Sequence, residues 1–498
     1  SFLDGRETNL QRIQMSTTFV DAPESQVRAG VARGDVTPPV GIYHRMWGAA
    51  QHDRSTGVHR PLLATALYLA TDEAAGDPDL HSRIYISLDH CLLWFPEMQT
   101  LLGAIAAKCG LPTERITVFF SHTHASGLMG RERIHLPGGD LIPSYLDQLG
   151  KTLGELARQA RQQAESAIIT YGIGRCSLAA NRDYFDDHGQ AICGFNPDHP
   201  TDDTVLVGRV VARVNHRPLA VIVNYACHPT TLAYENTLIS PDYIGAMTEI
   251  VENAGHGYCL FVQGASGDVG PRHGFVGDPR IADQNGRQLG YAVLSTLESL
   301  PSPRCRFQYT GPVLSGATLG RWDEVPPPES RDIATRIWRE HTLIVPMPYR
   351  ADLIRGPVHQ QEFQRWHAEE TAACARGDTQ AAAAARAMAE RATRNRLRTE
   401  HLPEGEHYRC TLVRHGDAIW LLLEGEHYNI LQRRLRHRFP HRTLLIGTVA
   451  NGSHVWYLPD AESYGKGLYQ EAASIVVRGS LERLETALAE AIEALDSP

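Results

Sequence analysis

The chain has 498 residues, 42% of them hydrophobic and 21% charged, with a formal net charge of -9. That composition fits a globular protein with a large core. The acidic balance gives no reason to expect nucleic acid or an anionic membrane surface as partner, and no apolar run approaches the ~20 residues that span a bilayer.

Length alone allows about three domains. The opening stretch "SFLDGRETNLQRIQM" lacks the apolar segment of a secretory leader. Met15 is a candidate natural start, and a leader removed ahead of Ser1 is the alternative. Nine scattered cysteines with no C-x-x-C spacing point to reduced thiols and a cytoplasmic home.

From residue 27 onward, strand-like and helix-like segments alternate. "RIYISLDHCLLW" (83–94) and "ERITVFFSH" (114–122) are β-rich, with a helix expected over 96–110 between them. Ile142, Leu146, Leu149, Leu153 and Leu156 recur at three-to-four spacing and predict a long amphipathic helix over 142–167. Residues 203–228 predict a strand hairpin turning at "NHRP", and 258–268 a buried strand entering a glycine-rich loop. Residues 360–400 are Ala- and Arg-rich and predict a helical insertion, read as a solvated excursion or oligomer contact. Strands resume at 408, and a helix is expected over 480–496. No repeat is visible. The expected fold is α/β, a mixed sheet flanked by helices, with an extension over 1–26 and one domain over 27–498.

Four stretches interrupt apolar runs with polar groups. In "FFSHTHASG" (119–127), His122 and His124 share a face if the chain is extended. His228 follows the strand ending in "NYACHPTTLAYENTLISPDY" (224–243). "QGASGDVGPRHG" (263–274) is a tight turn whose glycines permit close backbone approach. Glu426 ends the run "LLLEGEHYNI" (421–430). Taken singly, each reads better as a capped strand end, an Asx turn or a satisfied histidine.

Together with "VRAGVARGDVTPP" (27–39), "NRDY" (181–184) and "ANGSHVWYLPDAESYGKGLYQ" (450–470), they occur in one order along the chain. In that order the sequence resembles the catalytic domain of the neutral/alkaline (non-lysosomal) ceramidase family. The resemblance implies that His122, His228, Glu426 and Tyr457 bind Zn²⁺, and that His124, Arg182 and Tyr469 line the reacting bond. Tyr457, Tyr464 and Tyr469 keep the family's tyrosine spacing, with one extra residue between Asn451 and Tyr457. Two imidazoles and a carboxylate suit catalytic zinc, which leaves a position for water and lowers its pKa to about 7. Arg182, His124 or a tyrosine hydroxyl would then stabilise an oxyanion, and a histidine beside the metal would protonate a leaving amine. Asp89 is read either as a partner that fixes a histidine tautomer or as a strand-end cap.

Two departures are visible. Where the family has S-N-x-G-D-V-S-P, this chain has "GASGDVGP". Gly264 is assigned to the functional serine, and Ser266 is out of register, so Gly264, Ser266 and Asp268 are expected to shape the substrate loop. The family's immunoglobulin-like C-terminal domain is not expected within these residues. The expected function is zinc-dependent hydrolysis of an N-acyl or peptide-like amide in a small substrate, with homo-oligomer formation left open. The rivals are true ceramide hydrolysis, a metallophosphoesterase, and a non-catalytic ligand-binding relative.

Overall fold

The computed structural model describes residues 17–71, 81–402, 404–452 and 456–496. Met15 and most of the expected N-terminal extension lie outside them, as do 453–455, part of the interval between Asn451 and Tyr457 that holds the extra residue.

Eight strands build a mixed sheet: β1 (Glu24–Asp35), β2 (Leu63–Ala70), β3 (Ser82–Leu88), β4 (Ile116–Phe120), β5 (Glu165–Arg175), β6 (Thr204–Ala212), β7 (Pro218–Tyr225) and β8 (Tyr258–Gln263). Their order is β8-β7-β6-β5-β1-β2-β3-β4, antiparallel except for the outer pairs β7–β8 and β3–β4. A second sheet holds β9 (Trp338–Pro346), β10 (His407–His415), β11 (Ala418–Leu422) and β12 (Thr443–Gly447) in sequential order. The long first strand begins at Glu24, three residues ahead of the expected boundary at 27, and Phe19–Asp21 pairs with Arg306–Gln308.

Side-chain alternation stacks these sheets into four layers. Leu67 and Leu69 of β2, Ile222 of β7 and Val262 of β8 meet Trp420, Leu422 and Leu445 from the second sheet in one buried cluster. The residues between them face the other way. Ala66 and Tyr68 pack on α1 (Phe95–Cys109) and α2 (Ile142–Gln162). Val221, Val223 and Phe261 pack on α3 (Tyr243–Asn253) and α4 (Pro279–Glu298). The outer face of the second sheet, through Leu412, Ile419 and Leu421, joins the cluster that holds Leu484 and Leu488 of the closing helix Ser480–Asp496.

All five apolar positions expected to form the stripe of α2 are buried. The helix stops at Gln162 instead of 167, because Glu165–Arg175 becomes β5 and is hydrogen-bonded on both sides, to β1 and β6. Tertiary pairing of "AIITY" outweighs the continuing helical pattern.

The insertion is a helical hairpin of α5 (Pro357–Ala375) and α6 (Thr379–Glu400). It is more than a solvated excursion. Glu390 of α6 is buried against Arg133 (2.7 Å) and Tyr43 (3.2 Å), and Arg394 donates to the Met46 carbonyl.

Candidate metal centre

The two sheets are joined at the ends of their strands by side-chain amides. Asn224 donates to the Ile446 carbonyl (2.9 Å) and accepts from its N–H (3.0 Å), as a neighbouring strand would. Asn451 makes a similar bracket with Val118, accepting its N–H on the side-chain oxygen and donating its own main-chain N–H to the Val118 carbonyl, each at 2.8 Å. Beside these brackets the chain leaves β4 at His122, β7 at His228 and β11 at Glu426, so the candidate ligands come from both sheets. His122 takes a left-handed φ of 69°, uncommon without glycine and typical of constrained sites.

Both histidines are fixed by main-chain carbonyls. His122 Nδ1 lies 2.7 Å from Cys91 O, and His228 Nδ1 lies 2.8 Å from Ser266 O. A carbonyl only accepts, so each Nδ1 carries the proton and each Nε2 presents a lone pair. Those Nε2 atoms are 3.1 Å apart, and Glu426 Oε2 lies 3.2 Å from one and 3.4 Å from the other. Three electron-rich atoms converge with no fixed proton among them. This arrangement calls for a positive charge at its centre. Two nitrogens on a tetrahedral zinc with bonds of about 2.0–2.1 Å sit roughly 3.3 Å apart, so the donor set fits that ion. Burial opposes it, but Cys91 and Glu426 push His122 well above the usual histidine value, while His122 holds Glu426 below the carboxylate range against its burial. His228 is pushed well below the usual histidine value by its own burial, so without an ion the positive charge held here is a proton on His122, in the place the ion would take. Cys91, His122 and His124 form a second group close enough to share an ion, but His122 Nδ1 on that side is already committed to a carbonyl.

Tyr457 stands beside these three. Its hydroxyl donates to Glu426 and accepts from Arg182 Nη2 at 3.1 Å, and its ring stacks on His228 at 6.4 Å. Arg182 is buried and also donates to Gly267 O at 2.7 Å. His124 lies 5.0 Å from the His122 ring and 5.2 Å from the His228 ring, packs against Trp47, and has an Nε2 with no hydrogen-bond partner among the described residues. Tyr469 is half exposed, 5.8 Å from the Tyr457 ring, and lines an adjoining cavity. The hydroxyl of Tyr464 instead turns to the Val476 carbonyl at 3.0 Å.

Asp89 takes the second of its two expected roles, and the loop residues take roles other than those expected. Asp89 reaches neither histidine and accepts from the Leu63 N–H at 3.0 Å, which makes it a strand-end brace. Burial raises its carboxyl to about 6. Gly264 does not open the site, because a Cβ there would meet Ala226 Cβ and Gln432 Oε1, each at 2.9 Å. Ser266 is buried, its hydroxyl held by Gln263 (2.8 Å) and its carbonyl by His228. Asp268 braces Asn429 N (2.6 Å) and Asn181 (3.1 Å). These three residues support the loop and do not line it.

The glycine that faces the site is Gly270. A Cβ there would lie 3.4 Å from Thr230 Oγ1, 3.8 Å from His228 Cβ and 3.9 Å from Arg182 Cδ, which is ordinary contact. The family motif has two serines, and the second falls on Gly270. That signal was present in the sequence and pointed to the wrong glycine. Thr230, whose buried Oγ1 has no partner among the described residues, carried no sequence signal.

The fold is that of the neutral ceramidases. The crystal structure of neutral ceramidase from Pseudomonas aeruginosa superposes with a TM-score of 0.64 over 96% of this chain and 76% of that one, at 16% identity. A ceramidase complexed with C2 gives 0.63 over 95% and 75%, at 15% identity. No protein-family model and no curated protein sequence matches the chain. Among the described residues no helix is long and apolar enough to cross a membrane.

Proposed function

We propose that the chain is a zinc-dependent amidohydrolase that cleaves an N-acyl or peptide-like amide in a small substrate. The observation that carries this reading is the convergence of His122 Nε2, His228 Nε2 and Glu426 Oε2, in a fold shared with enzymes named for cleaving the amide of ceramide. His122, His228 and Glu426 would hold the ion, with Tyr457 beside them. When bound, zinc supplies a Lewis acid and lowers the pKa of water to about 7. The chain's own groups do the rest. Arg182, pinned by Gly267 and Tyr457, presents fixed positive charge to a developing oxyanion. His124, kept neutral by its burial and with no partner for Nε2 among the described residues, would take a proton from the attacking water and pass it to the leaving amine. Tyr469 stands at the mouth and orients the entering substrate.

Nine free thiols, six of them buried, support a reducing compartment such as the cytoplasm. Fractionation of the native host would test that placement.

The central test pairs metal analysis of purified protein with hydrolysis of a panel of N-acylated amines and amino acids. One zinc per chain and amide cleavage abolished by chelator are expected. A higher kcat/KM for long-chain ceramide than for any small amide would make this a true ceramidase. Phosphate-ester cleavage without amide cleavage would make it a phosphoesterase, and bound zinc without turnover a binding protein.

A further inference from the structure

A cavity of about 500 Å³, within the range of small-ligand pockets, is connected to the candidate metal centre through Tyr469. Tyr469, whose ring packs on Tyr457, forms part of its wall. Met388 and Leu468 make another part apolar, and Arg391, Arg394 and Arg398 of α6 supply guanidinium groups. These arginines sit at i, i+3 and i+7, so one helical face presents all three.

Their charges are not equally balanced. Glu390 pairs with Arg133 at 2.7 Å and with Arg394 at 3.1 Å, and Arg133 also pairs with Glu132. Two arginines therefore meet two carboxylates. Arg133 and Arg394 hold Glu390 at about 2 despite its burial. Arg398 is left over. It is 9% exposed, lies 4.4 Å over the Trp456 ring and spends Nη1 on Asn395 at 3.0 Å. Among the described residues its Nε has no hydrogen-bond partner and no carboxylate forms an ion pair with it, Glu426 acting on it only from farther away. A buried guanidinium stays charged, and leaving it without an anion is costly. Arg391, exposed at the rim, likewise has no ion pair among the described residues.

We propose that this cavity takes an amide substrate bearing a carboxylate, and that Arg398, with Arg391 at the rim, receives that carboxylate. The planar fork of arginine matches carboxylate geometry. Ceramide carries no anion and would leave Arg398 unpaired. The inference rests on the amidohydrolase reading for the bond that is cleaved, but the recognition itself does not require turnover.

The test compares N-hexanoylglycine with its uncharged isostere N-hexanoylglycinamide. kcat/KM is measured on the zinc enzyme, and binding is measured by calorimetry on metal-free protein. The acid is expected to be favoured roughly 10–100-fold in both, the range of a charge-assisted contact. Arg398→Gln should erase that preference, bringing acid and amide to the same kcat/KM and the same affinity, and Arg398→Lys should retain part of it. Equal handling of acid and amide by the wild-type protein overturns the proposal, whether or not the variants fold. Stronger binding of N-hexanoylaminomethylphosphonate than of the acid overturns the carboxylate assignment. Selective binding of the acid with no hydrolysis of any amide would support this proposal and refute the amidohydrolase reading.

Discussion

His122 and His228 aim their Nε2 atoms at each other across 3.1 Å while each ties its Nδ1 to a main-chain carbonyl. Neither nitrogen is free to relieve the other by changing tautomer. We therefore expect one zinc per chain by metal analysis. His228→Ala or Glu426→Ala should lower zinc affinity by far more than the ~10–100-fold typical of losing a residue that only orients a ligand. A stoichiometric magnesium site would contradict this.

His124 and Arg182 stand beside the candidate donors, and the proposed function gives them the reaction and not the ion. Either alanine variant should retain zinc at near wild-type stoichiometry and lose turnover by a factor on the order of 10²–10⁴. Loss of zinc from His124→Ala would place that residue among the ligands instead, through the group it forms with Cys91 and His122.

Gly264 and Gly270 should respond differently to serine. At 264 the new Cβ meets Ala226 and Gln432 at 2.9 Å in a packed interior, so Gly264→Ser should destabilise by about 1–3 kcal/mol, the usual cost of overpacking. At 270 the nearest atom is 3.4 Å away, so Gly270→Ser should fold with a near-unchanged melting temperature and place a hydroxyl beside His228 and Arg182. Thermal melts of both variants settle the comparison.

Acid should weaken the protein through His415. This residue is fully buried between the sheets, its Nε2 lies 2.9 Å from the Tyr85 hydroxyl, and burial, aided by Arg83, pulls it down from 6.5 to about 3. The unfolded chain takes up this proton first. The stability held by neutral His415 is therefore complete above pH 6.5 and is lost as pH falls toward 3, at up to about 1.4 kcal/mol per pH unit. Unfolding free energies measured from pH 7 to 4 should show this slope, and His415→Gln should reduce it by one proton.

The periodic segments were readable because burial imposes a period: the stripe of α2 and the strands β6 and β7 lie where their patterns place them. β5 was hidden, because "AIITY" directly follows a strong helical pattern and only its pairing with β1 and β6 selects the strand. The convergence of His122, His228 and Glu426 was readable as histidines and a glutamate ending apolar runs, with the family's order added. Three things were not. Asp89 and the carbonyls of Cys91 and Ser266 compete for the role of holding the imidazoles, and a main-chain carbonyl leaves no mark in a sequence. Which of Gly264 and Gly270 faces the site depends on how the loop packs. The value of Arg391, Arg394 and Arg398 depends on where the hairpin lies, although their spacing on one helical face was already visible.

The candidate donors His228 and Glu426 lie 106 and 304 residues beyond His122 and follow strands of two different sheets. An ion held there acts as a rivet between layers. The donor set does not exist until both sheets have formed and closed on each other, so the ion arrives late and finds no site on a half-folded chain. Its binding energy should therefore be missing from the folding transition state and fully present in the native one. Zinc should leave the refolding rate almost unchanged while slowing unfolding, and chelation should shorten the lifetime of the native state without lengthening the time needed to reach it.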